Sequence, residues 1–275
     1  MPHHATGGET VLVAPRYLAG TTGTDPLAPL LDTTPDWTRT LVGPDPYYAS
    51  PCQRLRAARR REGEWSFTYA ADPLGIPVWS AHFDRATPDE VLTAFAEQLV
   101  DGLGNYFADH LHGGPRYSGL TPARLLAAHE WKPVHGSRPW HILAPDEHAA
   151  FHLRLGHLHD HEELRDRDAA TWKFTAGPDP VKRPAWTASL TGSTPQPLLT
   201  TVAAAVADPR PVERPAHRVP ERHRALIDLR PAACSARVAA AQARSTNRPA
   251  QPQPSAHEPS RPPATASTPR PAPKR

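Results

Sequence analysis

Residues 65–101, WSFTYAADPLGIPVWSAHFDRATPDEVLTAFAEQLVD, and residues 172–208, WKFTAGPDPVKRPAWTASLTGSTPQPLLTTVAAAVAD, align without a gap at an offset of 107. Fourteen of the 37 positions are identical, among them Trp65/Trp172, Phe67/Phe174, Pro77/Pro184, Trp79/Trp186, Ala81/Ala188, Thr87/Thr194 and Pro88/Pro195. Self-similarity over this length marks a structural unit used twice. A weaker alignment upstream, at an offset of 94, sets Trp37 on Trp131 and Pro51 on Pro145. The offsets differ by 13 residues, so the second copy carries an insertion between Pro145 and Trp172.

Within each copy the pattern reads as strands followed by a helix. Trp65, Phe67 and Tyr69 alternate, as do Trp79, Ala81 and Phe83, the period of a half-buried strand. The intervening DPLGIP supplies a hairpin turn, and SPCQRLRAAR is a third strand candidate. Leu92, Phe95, Ala96 and Leu99 recur at helical spacing. Thr87 is placed to cap that helix, Pro88 suits its first position and Glu90 completes a capping box. Leu199, Val202, Ala203 and Val206 repeat the stripe, with Pro197 where the capping acid stood. LAPLLD and ARLLAAHE predict a second short helix per copy, and VLVAPRYLAG (11–20) an extra strand opening copy one.

The fold expected is therefore α+β: two tandem repeats, each an antiparallel sheet of about three to four strands with a C-terminal amphipathic helix. The repeats span 11–112 and 118–212. One unit buries a modest core, so the two are expected to pack together. Residues 213–275 differ in composition, being rich in Pro, Ala and Arg. They carry twelve Lys/Arg against four Asp/Glu, a formal +8, whereas 1–212 carries nineteen against twenty-four, a formal −5. Such a segment reads as a disordered basic tail. Its two short helical pieces, ERHRALIDL and AACSARVAAAQAR, are split by Pro231.

The order VLVAPRYLAG, a short SP segment, then W…P.W.A.F…TP before an amphipathic helix resembles the SPDY domain family of actinobacteria, usually found in tandem. The likeness covers about residues 11–212. This family is a domain of unknown function, named for spread genes of conjugative Streptomyces plasmids. The resemblance thus implies an actinomycete protein linked to mobile elements, and it implies no activity. Ser50-Pro51-Cys52-Gln53 departs from the acidic residue expected after the proline, which copy two has in Pro145-Asp146-Glu147.

Candidate chemistry is sparse. His157, His159 and His161 alternate in GHLHDHEE; on a strand they share a face and, with Glu163, could hold Zn²⁺ or Ni²⁺. The competing reading is a strand running out into a solvated loop, because straight alternation keeps such side chains about 7 Å apart. Arg54, Arg56, Arg59, Arg60 and Arg61 form a basic run that could meet phosphates or simply charge a solvated sheet edge. Trp65, Phe67, Trp79, Phe83, Leu92, Phe95 and Leu99, with Trp172, Phe174, Trp186, Leu190, Leu199, Val202 and Val206, read as repeat core rather than base-stacking platforms.

No phosphate loop, dinucleotide glycine pattern, nucleophile elbow or H-E-x-x-H motif occurs. Two distant cysteines, Cys52 and Cys234, argue against a disulfide scaffold. No basic segment and long apolar run opens the chain, and no stretch approaches the ~20 apolar residues of a membrane span. The expectation is a cytoplasmic, non-enzymatic interaction or assembly module without a cofactor, with an unknown protein partner and no membrane. The alternatives are nucleic-acid association through the basic tail and metal binding by the histidine insertion.

Overall fold

The computed structural model describes residues 9–60, 62–105, 120–136, 139–155 and 160–232. Ten strands form one antiparallel sheet in the order β2-β3-β4-β5-β6-β11-β10-β9-β8-β7. Copy one supplies β2 (Thr38–Val42), β3 (Asp45–Ala49), β4 (Leu55–Arg59), β5 (Trp65–Ala70) and β6 (Pro77–Phe83). Copy two supplies β7 (Lys132–Val134), β8 (Trp140–Leu143), β9 (Ala149–Leu153), β10 (Trp172–Ala176) and β11 (Trp186–Leu190). Each half thus gives five strands, not three to four, and the halves share one sheet. The added pairs, β2–β3 and β7–β8, carry Pro46, Pro133 and few apolar alternations, so their period is weak.

The halves meet where β6 runs antiparallel to β11, with Phe83 opposite Ala188, His82 opposite Ser189 and Ala81 opposite Leu190. Ser189 is the counterpart of His82 in the 107-residue offset, so the pair lies on an approximate two-fold axis. The ladder ends obey the same symmetry. The Asp84 carboxylate accepts from the Thr187 amide at 2.8 Å, and the Thr191 hydroxyl accepts from the Ser80 amide at 3.0 Å. Asp84 and Thr191, like Ser80 and Thr187, are counterparts. A different residue type does the same capping in each copy because both place an oxygen one position past the strand.

One sheet face carries the aromatics. Trp65, Phe67, Trp79, Phe83, Trp172, Phe174, Trp186 and Leu190 are all buried there. Phe67 and Phe83 pack on Phe95 with ring centroids 4.8 and 5.0 Å apart. Phe95 belongs to α2 (Asp89–Asn105), whose Leu92 and Leu99 are also buried. The matching helix of copy two, α5 (Gln196–Ala207), buries Leu199, Val202 and Val206 and packs on α2. Before each half come the short helices α1 (Ala28–Thr33) and α3 (Leu120–Ala128). A single apolar cluster runs through both copies, as expected when neither unit encloses a core alone.

Helix α2 is not started by a capping box. The Thr87 hydroxyl is buried without a partner, and the Glu90 carboxylate turns outward to receive both terminal nitrogens of Arg214, at 2.7 and 2.5 Å. A buried guanidinium outcompetes a local backbone amide for a carboxylate, because an unpaired buried charge costs more than an unpaired amide. Asp89 instead accepts from the amide and hydroxyl of Thr22 at 2.7 and 2.6 Å.

Arg214 brings a second correction. Residues 213–232 are folded, not part of a disordered tail. Strand β1 (Thr10–Ala14) lies between β12 (Val212–Pro215) and β13 (Asp228–Pro231) in a separate three-stranded sheet, so it does not open the sheet of copy one. Glu221–Leu226 is a 3₁₀ turn rather than an α-helix. The physical reason is non-local. These short, proline-bearing strands have no pattern of their own, and β1 supplies the ladder from two hundred residues away. Val11, Val13, Ala19, Val212 and Val219 form their small core. His223 Nδ1 donates to the Leu18 carbonyl at 2.7 Å, and Trp186 Nε1 donates to the Tyr17 carbonyl at 2.8 Å. Residues 233–275, including Cys234 and the second proposed helical piece, lie outside the described residues.

Candidate functional site

The sheet face turned away from α2 and α5 is polar. Register carries one row of residues across all ten strands: Val134, His141, His152, Lys173, Ser189, His82, Ser66, Ala58, Tyr47 and Thr40. The row is symmetric in position about the His82–Ser189 pair but not in chemistry. Copy two places His141, His152 and Lys173 where copy one has Tyr47, Ala58 and Ser66. A scaffold requirement would appear in both halves. These three side chains are therefore a property of copy two alone.

A cavity of about 440 Å³ opens on this face of copy two. On its floor, the His141 and His152 rings meet edge to face with centroids 4.6 Å apart. The Thr175 hydroxyl donates to the Pro180 carbonyl at 2.7 Å, so it accepts from His152 Nε2, also at 2.7 Å. That fixes His152 as the neutral Nε2–H tautomer. Burial, with His141 and Lys173 adding like charge, lowers its pKa to about 3. His141 is lowered as well, again by burial. Lys173 Nζ reaches the Asp168 carbonyl at 3.0 Å and its carboxylate at 3.3 Å. Arg154 and Lys182 complete the basic lining. Neither side chain has an ion pair among the described residues.

The insertion of copy two covers the centre of this face. It contains α4 (Asp160–Arg165) and a 3₁₀ turn at Arg167–Ala169. Glu163 on α4 is buried, accepting from the Thr171 hydroxyl at 2.8 Å and the Gly192 amide at 2.5 Å. Gly192 permits this approach: a Cβ there would lie 3.0 Å from the Thr171 hydroxyl oxygen and 3.3 Å from the Glu163 carboxylate. Arg167 crosses to copy one and pairs with Glu64 at 2.9 Å. Beneath them His82, with Arg167 and Arg60 near it, is driven by burial first and by those cations second to a pKa of about 4.

Two of the four proposed metal ligands, His161 and Glu163, are among the described residues. His161 is exposed on a helix, not a strand, while Glu163 points inward and spends both oxygens on Thr171 and Gly192. Helical spacing sends positions i and i+2 to different faces. His157 and His159 lie outside the described residues. Among the described residues no group of three His, Cys, Asp or Glu is placed to hold a metal ion.

The arginine run is divided too. Arg56 and Arg59 lie on β4, an interior strand, not on a sheet edge. Arg59 turns to the helix side and pairs with Asp25 at 3.1 Å. Arg56 turns to the outer face and donates to the Pro73 carbonyl. Arg54 is half-buried and Arg60 exposed, while Arg61 lies outside the described residues. Strand alternation thus sends Arg59 to the sheet face opposite Arg56.

The basic cavity is not legible in the sequence because its residues come from four strands, a hairpin and the insertion. The available signal was the duplication itself. Within the gapless alignment, Ser66 becomes Lys173 and Gly75 becomes Lys182.

The fold thus defines a duplicated α+β protein: two five-strand units continuous through a β6–β11 seam, each backed by one helix. Residues 49–103 and 143–212 match the model of SPDY, a domain of unknown function (DUF317), a two-region match consistent with tandem SPDY domains. No match was found among curated proteins or solved structures. No helix among the described residues is long and apolar enough to cross a membrane.

Proposed function

We propose that this chain is a non-catalytic, cytoplasmic interaction module whose partner-binding surface is the outer sheet face of copy two. The observation that carries this reading is the difference between the copies. At matched positions on one scaffold, copy two has gained His152, Lys173 and Lys182 for Ala58, Ser66 and Gly75. Copy one supplies the other half of the core and holds the insertion through Glu64. Binding has a chemical basis in the basic lining, and the repeat core has a purely structural one.

The test compares charge reversals in the two copies. Full chain, Arg154→Glu/Lys182→Glu and Arg54→Glu/Arg60→Glu are each used to recover partners from the source organism's lysate. The copy-two reversal is expected to lose partners that the copy-one reversal keeps. Equal recovery by both would overturn the reading. Nucleic-acid association is a second reading, favoured by the seven Lys/Arg against one Asp/Glu in residues 233–275. It predicts binding to DNA or RNA that falls steeply with salt and is lost when the chain ends at residue 232.

A further inference from the structure

We infer that the cavity on the outer face of copy two is a binding site for a small-molecule phosphate monoester. The inference rests on that face being the binding surface and assigns its ligand chemistry. The volume, about 440 Å³, lies within the range of small-ligand sites. Its lining brings three permanent cations, Arg154, Lys173 and Lys182, against one carboxylate, Asp168. Asp168 pairs with Lys173 Nζ at 3.3 Å and formally offsets one of the three.

The net excess is two positive charges. A phosphate monoester, at about −1.5 to −2 near neutral pH, matches it, whereas a monocarboxylate leaves one cation unanswered. Arginine adds the planar fork suited to phosphate oxygens. Burial disfavours the charged form of both imidazoles, and His152 already donates its Nε2 proton to Thr175. They therefore provide a polar floor without adding charge. Val181 and Pro184 at the mouth offer an apolar wall for the ester group. Copy one cannot form the same site, since Ser66 and Gly75 replace two of the cations.

The test is calorimetric titration of full-length protein with phenyl phosphate, and with benzoate as a monoanion of similar shape. Phenyl phosphate is expected to bind at one site per chain and more tightly than benzoate. Its affinity is expected to rise between pH 5 and pH 7 as the phosphate loses its second proton, near pH 6. Arg154→Ala and Lys182→Ala are each expected to weaken it about tenfold, and Arg60→Ala in copy one to leave it unchanged. Among the described residues neither Arg154 nor Lys182 is tied into the fold by an ion pair, so the variants should remain folded, as circular dichroism would verify. Absence of binding, equal binding of benzoate, or undiminished binding by the Arg154→Ala/Lys182→Ala double variant would overturn the site. Partner recovery lost only in the copy-two reversal would still leave the broader reading standing.

Discussion

His152 and His82 show what the outer face demands of single residues. Both are held neutral by burial, with pKa values of about 3 and about 4 against an ordinary 6.5. The unfolded chain takes up protons on both as pH falls through 6.5, while the folded chain resists until pH 4 and below. Their contribution is complete above about pH 6.5 and is lost progressively as the pH falls through that window. The raised carboxyls of Asp84 and Asp89, desolvated by burial, oppose this in part at the acid end. Going from pH 7 to pH 5 should cost about 1–2 kcal/mol for each histidine, read as a falling urea midpoint. In His82→Gln/His152→Gln the fall should flatten. An equal fall in that variant would place the titration elsewhere.

At the scale of elements, the three-stranded sheet makes the sharpest prediction. A chain ending at residue 212 loses β13 and nearly all of β12, and leaves Glu90 without Arg214. Strand β1 then has no partner on either side. Its melting temperature should drop by roughly 10 °C, the equivalent of a few kcal/mol. A chain ending at residue 232 should melt with the full-length protein. Equal melting of the 212 and 232 chains would show that β12 and β13 contribute nothing.

The same elements show what the sequence could convey. Strands β5, β6, β10 and β11 and helices α2 and α5 were legible because each carries its own apolar period and appears twice. The β1–β12–β13 sheet was not, because its strands are four or five residues long, β12 and β13 each hold a proline, and β1 pairs with them across about two hundred positions. The insertion misled for a related reason. Alternating histidines look like strand, yet Glu163 finds Thr171 and Gly192 only if the segment turns into α4. Arg214 likewise takes Glu90 from a local capping role that the sequence pattern favours.

For the whole molecule, duplication followed by divergence is the organising fact. Each copy keeps the same buried tryptophans and the same ladder-end oxygen, Asp84 in one and Thr191 in the other. Those constraints make one continuous sheet and one core, so neither copy is expected to be separable as a folded unit. The outer face is free of those constraints, and there the copies part: Tyr47, Ala58 and Ser66 on one side of the axis, His141, His152 and Lys173 on the other. Hydrogen exchange on the full chain, with and without a captured partner, tests this division most directly. The account predicts slowed exchange in residues 139–155 and 170–184 and unchanged exchange in residues 45–75. Protection confined to residues 45–75, or equal protection of both halves, would contradict it.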